Sequence, residues 1–235
     1  MDIDLRDVHK HMLKLGIAAL SHANNHANYL SYENDMWAEL SVLQAAHAAE
    51  ILIKARIAQE HPLLIFEKIP RSTQVEGDFL DFEDLAKKAK TIQFSELPER
   101  LWAATGIKLK NIHTYKSFGY LRNSIQHFAS PLNIDCSDET VRFIYEVIDP
   151  FIYDCWGVCA IDCNEDYDPY IYLIEPLISR EVLFLVSHEA AEYLKNNNFR
   201  FPSDPMYKWP DNPKYKAEML KRFKEDGLDL ESDSS

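Results

Sequence analysis

Residues 34–62 read NDMWAELSVLQAAHAAEILIKARIAQEHP, with no glycine and no proline before Pro62. Alanine, the best helix former, stands at positions 45, 46, 48 and 49. The stretch predicts one long helix from Asn34 to His61, stopped by Pro62. Its small-residue surface lets a second helix approach closely. Glu50 and Lys54 are spaced as an intrahelical pair, and His47 reads as a packed histidine.

Outward from this helix the chain stays helical. Leu13, Ile17 and Leu20 have helical spacing within a mixed segment, 5–30. Residues 62–84, with Pro62, Pro70 and the run STQVEGD, read as a loop carrying short apolar pieces. A helix over 111–129 ends before Pro131. Another runs from Ser137, its expected N-cap, towards Gly157, with Asp138 and Glu139 in its first turn and a bend at Pro150. No strand alternation precedes residue 165. Beyond it, 170–174 and 182–186 are candidate short strands, and 187–194 is a helix capped by Ser187. The terminal ESDSS reads as disordered. The expected class is all-α: a helical domain over 1–165, then a small C-terminal extension over 166–235 that holds the two candidate strands.

Composition narrows the function. The chain has 235 residues, 46% of them hydrophobic, so a sizeable core forms. Six glycines, with no GxGxxG and no GxxxxGKS/T string, remove the main support for dinucleotide-binding and P-loop readings. The formal charge of −13 argues against a general polyanion binder. The opening residues do not form a signal peptide and no window approaches a membrane span, so a cytoplasmic protein with reduced thiols is expected. The charge is uneven along the chain. Residues 85–122 hold eight cations and two acids, net +6; residues 131–181 hold twelve acids and two cations, net −10. The two windows are either solvated faces or a polyanion track beside an acidic wall.

One string carries chemistry: SFGYLRNSIQHF, residues 117–128. At about 100° per residue, Phe118, Leu121, Ile125 and Phe128 share one arc and are expected to face the core. Arg122, Gln126, Asn123 and His127 share an opposite arc about 140° wide. An arginine can hold phosphate oxygens bidentately, a histidine can move a proton near neutral pH, and amides can orient either. The same residues also fit a plain solvated helix face.

Arg122, with Asn123 after it and His127 four residues further on, resembles the RX4–6H motif of the HEPN superfamily. Residues 45–55, AAHAAEILIKA, look like the long Ala-rich helix of that superfamily, and the order of the two elements agrees. The resemblance covers residues 5 to 160. It implies a small all-α bundle that forms a homodimer with the two Arg–His motifs facing each other. It also implies an endoribonuclease of toxin or antiphage-defence type that needs no metal and no cofactor. His127 would then be the general acid or base, Arg122 would stabilise charge on the phosphate in the transition state, and Asn123 would support the geometry. Ser124 reads as surface. The products would be a 2′,3′-cyclic phosphate and a 5′-hydroxyl. If the positive window is an RNA track, Lys108, Lys110 and Lys116 are its phosphate contacts. An antitoxin or defence-system partner is implied. Two residues after His127, where the RX4HXY toxins of paired HEPN–nucleotidyltransferase systems carry Tyr, stands Ala129. The runner-up is a HEPN-like module without catalysis, which binds nucleotides or RNA or senses a partner; a plain helical scaffold is third.

Other clusters are weaker. Cys155, Cys159 and Cys163 repeat every four residues; on a straight helix the outer two lie about 12 Å apart, too far to share a zinc ion, and they read as buried structural thiols. The run from Asp162 to Asp166 has Tyr167 where a calcium loop needs glycine and Leu173 where it needs glutamate. His9, His11, His22 and His26 read as surface or packing residues. Trp209, Tyr207 and Tyr215, interleaved with Lys208, Lys214 and Lys216, either stack on nucleic acid or pack as a tail.

Overall fold

The computed structural model describes residues 5–29, 31, 33–75, 80–165, 169–203 and 205–230. The expected disorder of ESDSS, part of the STQVEGD run and residues 166–168 of the discarded calcium loop lie outside them. The described chain is mostly helical, as its composition and periodicity predict. Its helices are α1 (Val8–Asn28), α2 (Trp37–Glu60), α3 (Phe82–Lys88), α4 (Leu97–Thr105), α5 (Ile112–His127), α6 (Cys136–Phe143), α7 (Asp149–Trp156), α8 (Pro169–Ser179), α9 (His188–Asn196) and α10 (Pro213–Glu225). Two compact units emerge: Met1–Ala18 with His47–Leu109, and Ala19–Ala46 with Lys110–Ser235. The expected boundary at 165/166 does not divide them, because the C-terminal segment belongs to the unit that holds α5.

In the first unit, α2 is buried almost all round: Ala48, Ala49, Leu52, Ile53, Ala55, Ile57 and Ala58 are each at most 2% exposed. A helix apolar on every side belongs in a core. The close approach that its alanines allow is met by Gly16 of α1, where an added Cβ would lie 2.7 Å from Cγ of Leu52. Lys54 is buried on α2 and donates to Oε1 of Glu50 at 2.6 Å and to Oγ1 of Thr91 at 3.2 Å. His47, in contrast to its expected packing, is exposed. Two short strands, β1 (Phe66–Lys68) and β2 (Lys90–Thr91), pair antiparallel across a register irregularity.

The second unit joins α5 to α10 and the adjoining parts of α1 and α2 around Phe118, Phe143, Tyr145, Phe184 and Phe223, each 3% exposed or less. Asn24 of α1 donates to the carbonyls of Ala160 and Cys163 and accepts from the Tyr145 hydroxyl. Asp135 caps α6, accepting from the Asp138 N–H, where Ser137 was expected. Ser187 caps α9 as expected, accepting from Ala190 N–H at 3.0 Å. Between α6 and α7 the chain runs through a π-helical stretch, Ile144–Ile148, just before Pro150. Proline has no N–H, so the Glu146 carbonyl four residues back has no α-helical donor. The Asn111 side-chain amide supplies one instead, at 2.9 Å.

The expected C-terminal strands are not formed. Residues 170–174 lie in α8. Residues 182–186 show the alternating burial of a strand, with Val182, Phe184 and Val186 buried and Leu183 40% exposed, but among the described residues no strand pairs with them. Side chains satisfy their backbone instead. Tyr215 Oη donates to the Val182 carbonyl, Arg222 Nη1 donates to the Phe184 carbonyl, and the Leu185 N–H donates to Oδ2 of Asp149. The sheet among the described residues is the β1–β2 pair, upstream of residue 165.

Candidate nucleic-acid interface

The π stretch before Pro150 positions α5. Asn111, at the N-terminus of α5, has φ 51° and sends its amide to the Glu146 carbonyl rather than capping its own helix. Thr114 in the first turn donates to Oε2 of the same glutamate at 3.1 Å. Further along, Tyr115, Phe118 and Leu121 are buried, and the Phe118 ring stacks on Phe143 at 3.9 Å between centroids. These contacts fix the rotation of α5 and leave its opposite face in solvent.

The far end departs from expectation. Phe128 is 93% exposed, not part of the core stripe. The helix ends at His127, and the N–H groups of Phe128 and Ala129 both bond the Ser124 carbonyl. Ser124 Oγ then donates to the Ala129 carbonyl at 2.9 Å, closing the turn. Phe128 leaves the helical path before reaching the core, and Ser124 clamps the C-terminus. Leu132, 90% exposed, and Ile134, 42% exposed, continue the apolar surface.

On the solvent face Arg122 Nη1 donates to Oδ1 of Asn123 at 2.9 Å. Asn123, Gln126 and His127 are exposed and Arg122 is half-buried. The arc expected from helical periodicity is therefore present, and Asn123 holds the guanidinium. Among the described residues, His127 makes no hydrogen bond or ion pair. The helix reads IHTYKSFGYLRNSIQH and carries no acid. His113, Lys116, Tyr120, Asn123 and His127, spaced three, four, three and four residues apart, are all exposed, with Tyr120 at 77%. His113 and Tyr120 were not singled out by the sequence reading; their three–four spacing on the face opposite the core was the available signal.

The proposed lysine track is only partly assembled. Lys116 lies on the exposed face of α5 without an ion pair among the described residues. Lys110 is paired with Asp154 at 3.0 Å, and Lys108 belongs to the other unit. The +6 window loses much of its excess in the same way. Lys87, Lys88 and Lys90 pair with Glu83, Asp84 and Glu67, acids from outside the window.

The remaining clusters resolve into packing. Cys159 and Cys163 are 3% exposed, and burial pushes both thiols up to about 12. They do not continue the α7 helix, which ends at Gly157 with φ 68°, so a straight-helix spacing does not apply to them. Tyr215 is buried, Trp209 meets Phe201 edge-on at 5.0 Å, and the Lys216 ammonium sits 5.4 Å from the Trp209 ring centroid. Tyr215 is thus engaged with the body of the unit, through the Val182 carbonyl, and Trp209 with neighbours in the tail. His22 pairs with Glu165 at 2.9 Å, and His26, 4% exposed, lies between the His22 and Trp37 rings. Burial, then the neighbouring His22, pushes the His26 imidazole down. Two cavities, of about 340 and 430 Å³, are lined from α9, α10 and the residues after them; neither includes a residue of α5. Among the described residues no helix is long and apolar enough to cross a membrane. Comparison with protein-family models, curated proteins and solved structures returned no match.

Proposed function

We propose that the chain is a HEPN-like RNA endonuclease of toxin or antiphage-defence type, which works as a homodimer in the cytoplasm. The observation that carries this reading is the Arg122–Asn123 clamp on a solvent face that also presents Gln126 and His127 and has no acid. His127 moves the proton of the attacking 2′-hydroxyl or of the leaving oxygen. Arg122, held by Asn123, neutralises charge gathering on the phosphate. One convex helix face supplies only one such set and encloses nothing. A second copy meeting it near a two-fold axis makes a cleft with two sets, and exposed Phe128 and Leu132 beside the motif give that contact apolar area. An antitoxin or other defence partner would regulate the site.

The test is incubation of wild type, Arg122→Ala and His127→Ala with RNA in EDTA, with product ends analysed. Wild type is expected to leave 2′,3′-cyclic phosphates and 5′-hydroxyls. His127→Ala is expected to lose about 10²–10⁴-fold in rate and Arg122→Ala about 10²–10³-fold. Both side chains lie outside the core, so unfolding midpoints should stay put. Undiminished cleavage by His127→Ala would refute the mechanism. The alternative, a HEPN-like module that binds RNA or senses a partner without cleaving, is favoured by the openness of the α5 face, and inactivity of wild type would select it.

A further inference from the structure

The exposed stripe of α5 has a chemistry of its own. His113, Lys116, Tyr120, Asn123 and His127 follow a three–four repeat, so they form one line along the helix. At 1.5 Å rise per residue the line is about 21 Å long. A three–four repeat usually marks a seam for another helix, but such a seam is apolar. Here it holds a cation, two imidazoles and an amide, with one aromatic ring at its centre. Tyr120 is 77% exposed, and among the described residues its hydroxyl has no partner. Lys116 has no ion pair among them either, whereas four of the eight cations of the surrounding window are paired. In a chain of charge −13, a sixteen-residue helix without a single acid is complementary to a polyanion.

We propose that this stripe is a track for single-stranded RNA, with Tyr120 as the platform on which one base stacks. The inference rests on the RNA reading above and names the form of the substrate and the residue that seats it. A duplex hides its base faces, so a lone exposed ring flanked by phosphate-binding groups suits an unpaired strand. The length of the line admits at most about six stacked nucleotides. Lys116 and His113 lie on one side of Tyr120, towards the start of α5, and Asn123, Arg122 and His127 on the other. A base seated on Tyr120 would therefore place its neighbouring phosphate one helical turn from the Arg122 clamp.

The experiment measures binding apart from cleavage. The probes are a fluorescein-labelled 2′-O-methyl RNA of about ten nucleotides, which lacks the attacking hydroxyl, the same sequence as DNA, and its RNA duplex. Anisotropy is read for wild type, Tyr120→Ala, Tyr120→Phe and Lys116→Gln, with oligomeric state measured in parallel. Tyr120→Ala should weaken single-strand binding about 5- to 150-fold, and Tyr120→Phe should retain it. Lys116→Gln should flatten the salt slope by about 0.7. The duplex should bind less tightly than either single strand. Wild-type affinity in Tyr120→Ala, or a loss that merely follows dissociation of a dimer, would overturn the track even if wild type cleaves RNA. Tyr120-dependent binding by a protein that never cleaves would uphold the track and remove the endonuclease. Equal binding of RNA and DNA strands would support stacking, because every base has a face to stack. No binding of any strand would overturn both.

Discussion

Lys54 shows how one buried charge is kept. Its ammonium is held by Glu50 and Thr91 within the first unit, with side-chain exposures of 8% for the lysine and 25% for the glutamate. Removing Glu50 strands the cation, whereas replacing the lysine by an apolar side chain of similar length leaves a partly hydrated carboxylate. Glu50→Ala should therefore destabilise by about 2 kcal/mol, under the ~3–5 kcal/mol of a fully buried pair, and Lys54→Met by less; urea midpoints for both variants decide it. Equal costs would show that lost packing, not stranded charge, sets the effect. The spacing of Glu50 and Lys54 was legible in the sequence, but their depth was not, because four-residue spacing also fits an exposed pair. The α5 residues behave similarly. Helical periodicity placed Phe118 and Leu121 in the core and Arg122, Asn123, Gln126 and His127 outside. It could not place Phe128, whose position depends on where Ser124 ends the helix. One residue beyond the last turn, a 100° step no longer applies.

Among elements, α5 is held at its start by a bond to the carbonyl four residues before the proline of α7. The Asn111 amide reaches the Glu146 carbonyl that Pro150 leaves without an α-helical donor. Asn111→Ala should cost about 1–2 kcal/mol for the orphaned carbonyl, and a smaller amount more because Ala adopts φ 51° less readily than Asn does. Asn111→Gly removes the bond but tolerates the backbone, so chemical denaturation of the pair separates the two costs. If Asn111→Gly matches wild type, the bond adds nothing measurable and α5 is held by Thr114 and its buried face of Tyr115, Phe118 and Leu121. The helices themselves were largely readable: α2 from its alanines and the Pro62 stop, α5 from periodicity and the Pro131 stop, α9 from the Ser187 cap. The segment 182–186 was not, because an alternating apolar run looks the same whether its backbone bonds go to a strand or to side chains. Its partners, Asp149, Tyr215 and Arg222, lie 29 or more residues away in the chain, beyond the reach of any local pattern.

At the scale of the whole molecule, Asp149 sets a pH dependence. It is 1% exposed, and burial raises its carboxyl to about 7, against the pull of the Ala160 and Leu185 N–H groups and Arg222. Between its ordinary value of 3.8 and about 7, the folded chain holds a proton that the unfolded chain releases. This contribution to stability is complete below pH 3.8 and is lost as pH rises through about 7, by at most about 1.4 kcal/mol per pH unit. Asp149→Asn should lower stability at every pH, since its NH₂ would face a backbone N–H, and should flatten the slope between pH 4 and 7. Denaturant titrations across that range test this, and an unchanged slope would assign it to other groups. The charge windows teach the complementary lesson. A net sign counted along the sequence says little once lysines pair with acids from outside the window; of its four cations without an ion pair among the described residues, two, Lys116 and Arg122, lie on α5.

The segment 182–186, Val-Leu-Phe-Leu-Val, has no charge, no proline and no glycine, the composition from which aggregates are seeded. Its protection lies in occupancy: a phenol and a guanidinium from α10 and the Asp149 carboxylate take up backbone groups that another strand would otherwise seek. Detachment of α10 would therefore expose a sticky edge before the rest of the fold is lost. Damage to this molecule is then expected to end in insoluble assemblies more readily than in reversible unfolding, with α10 serving as the guard.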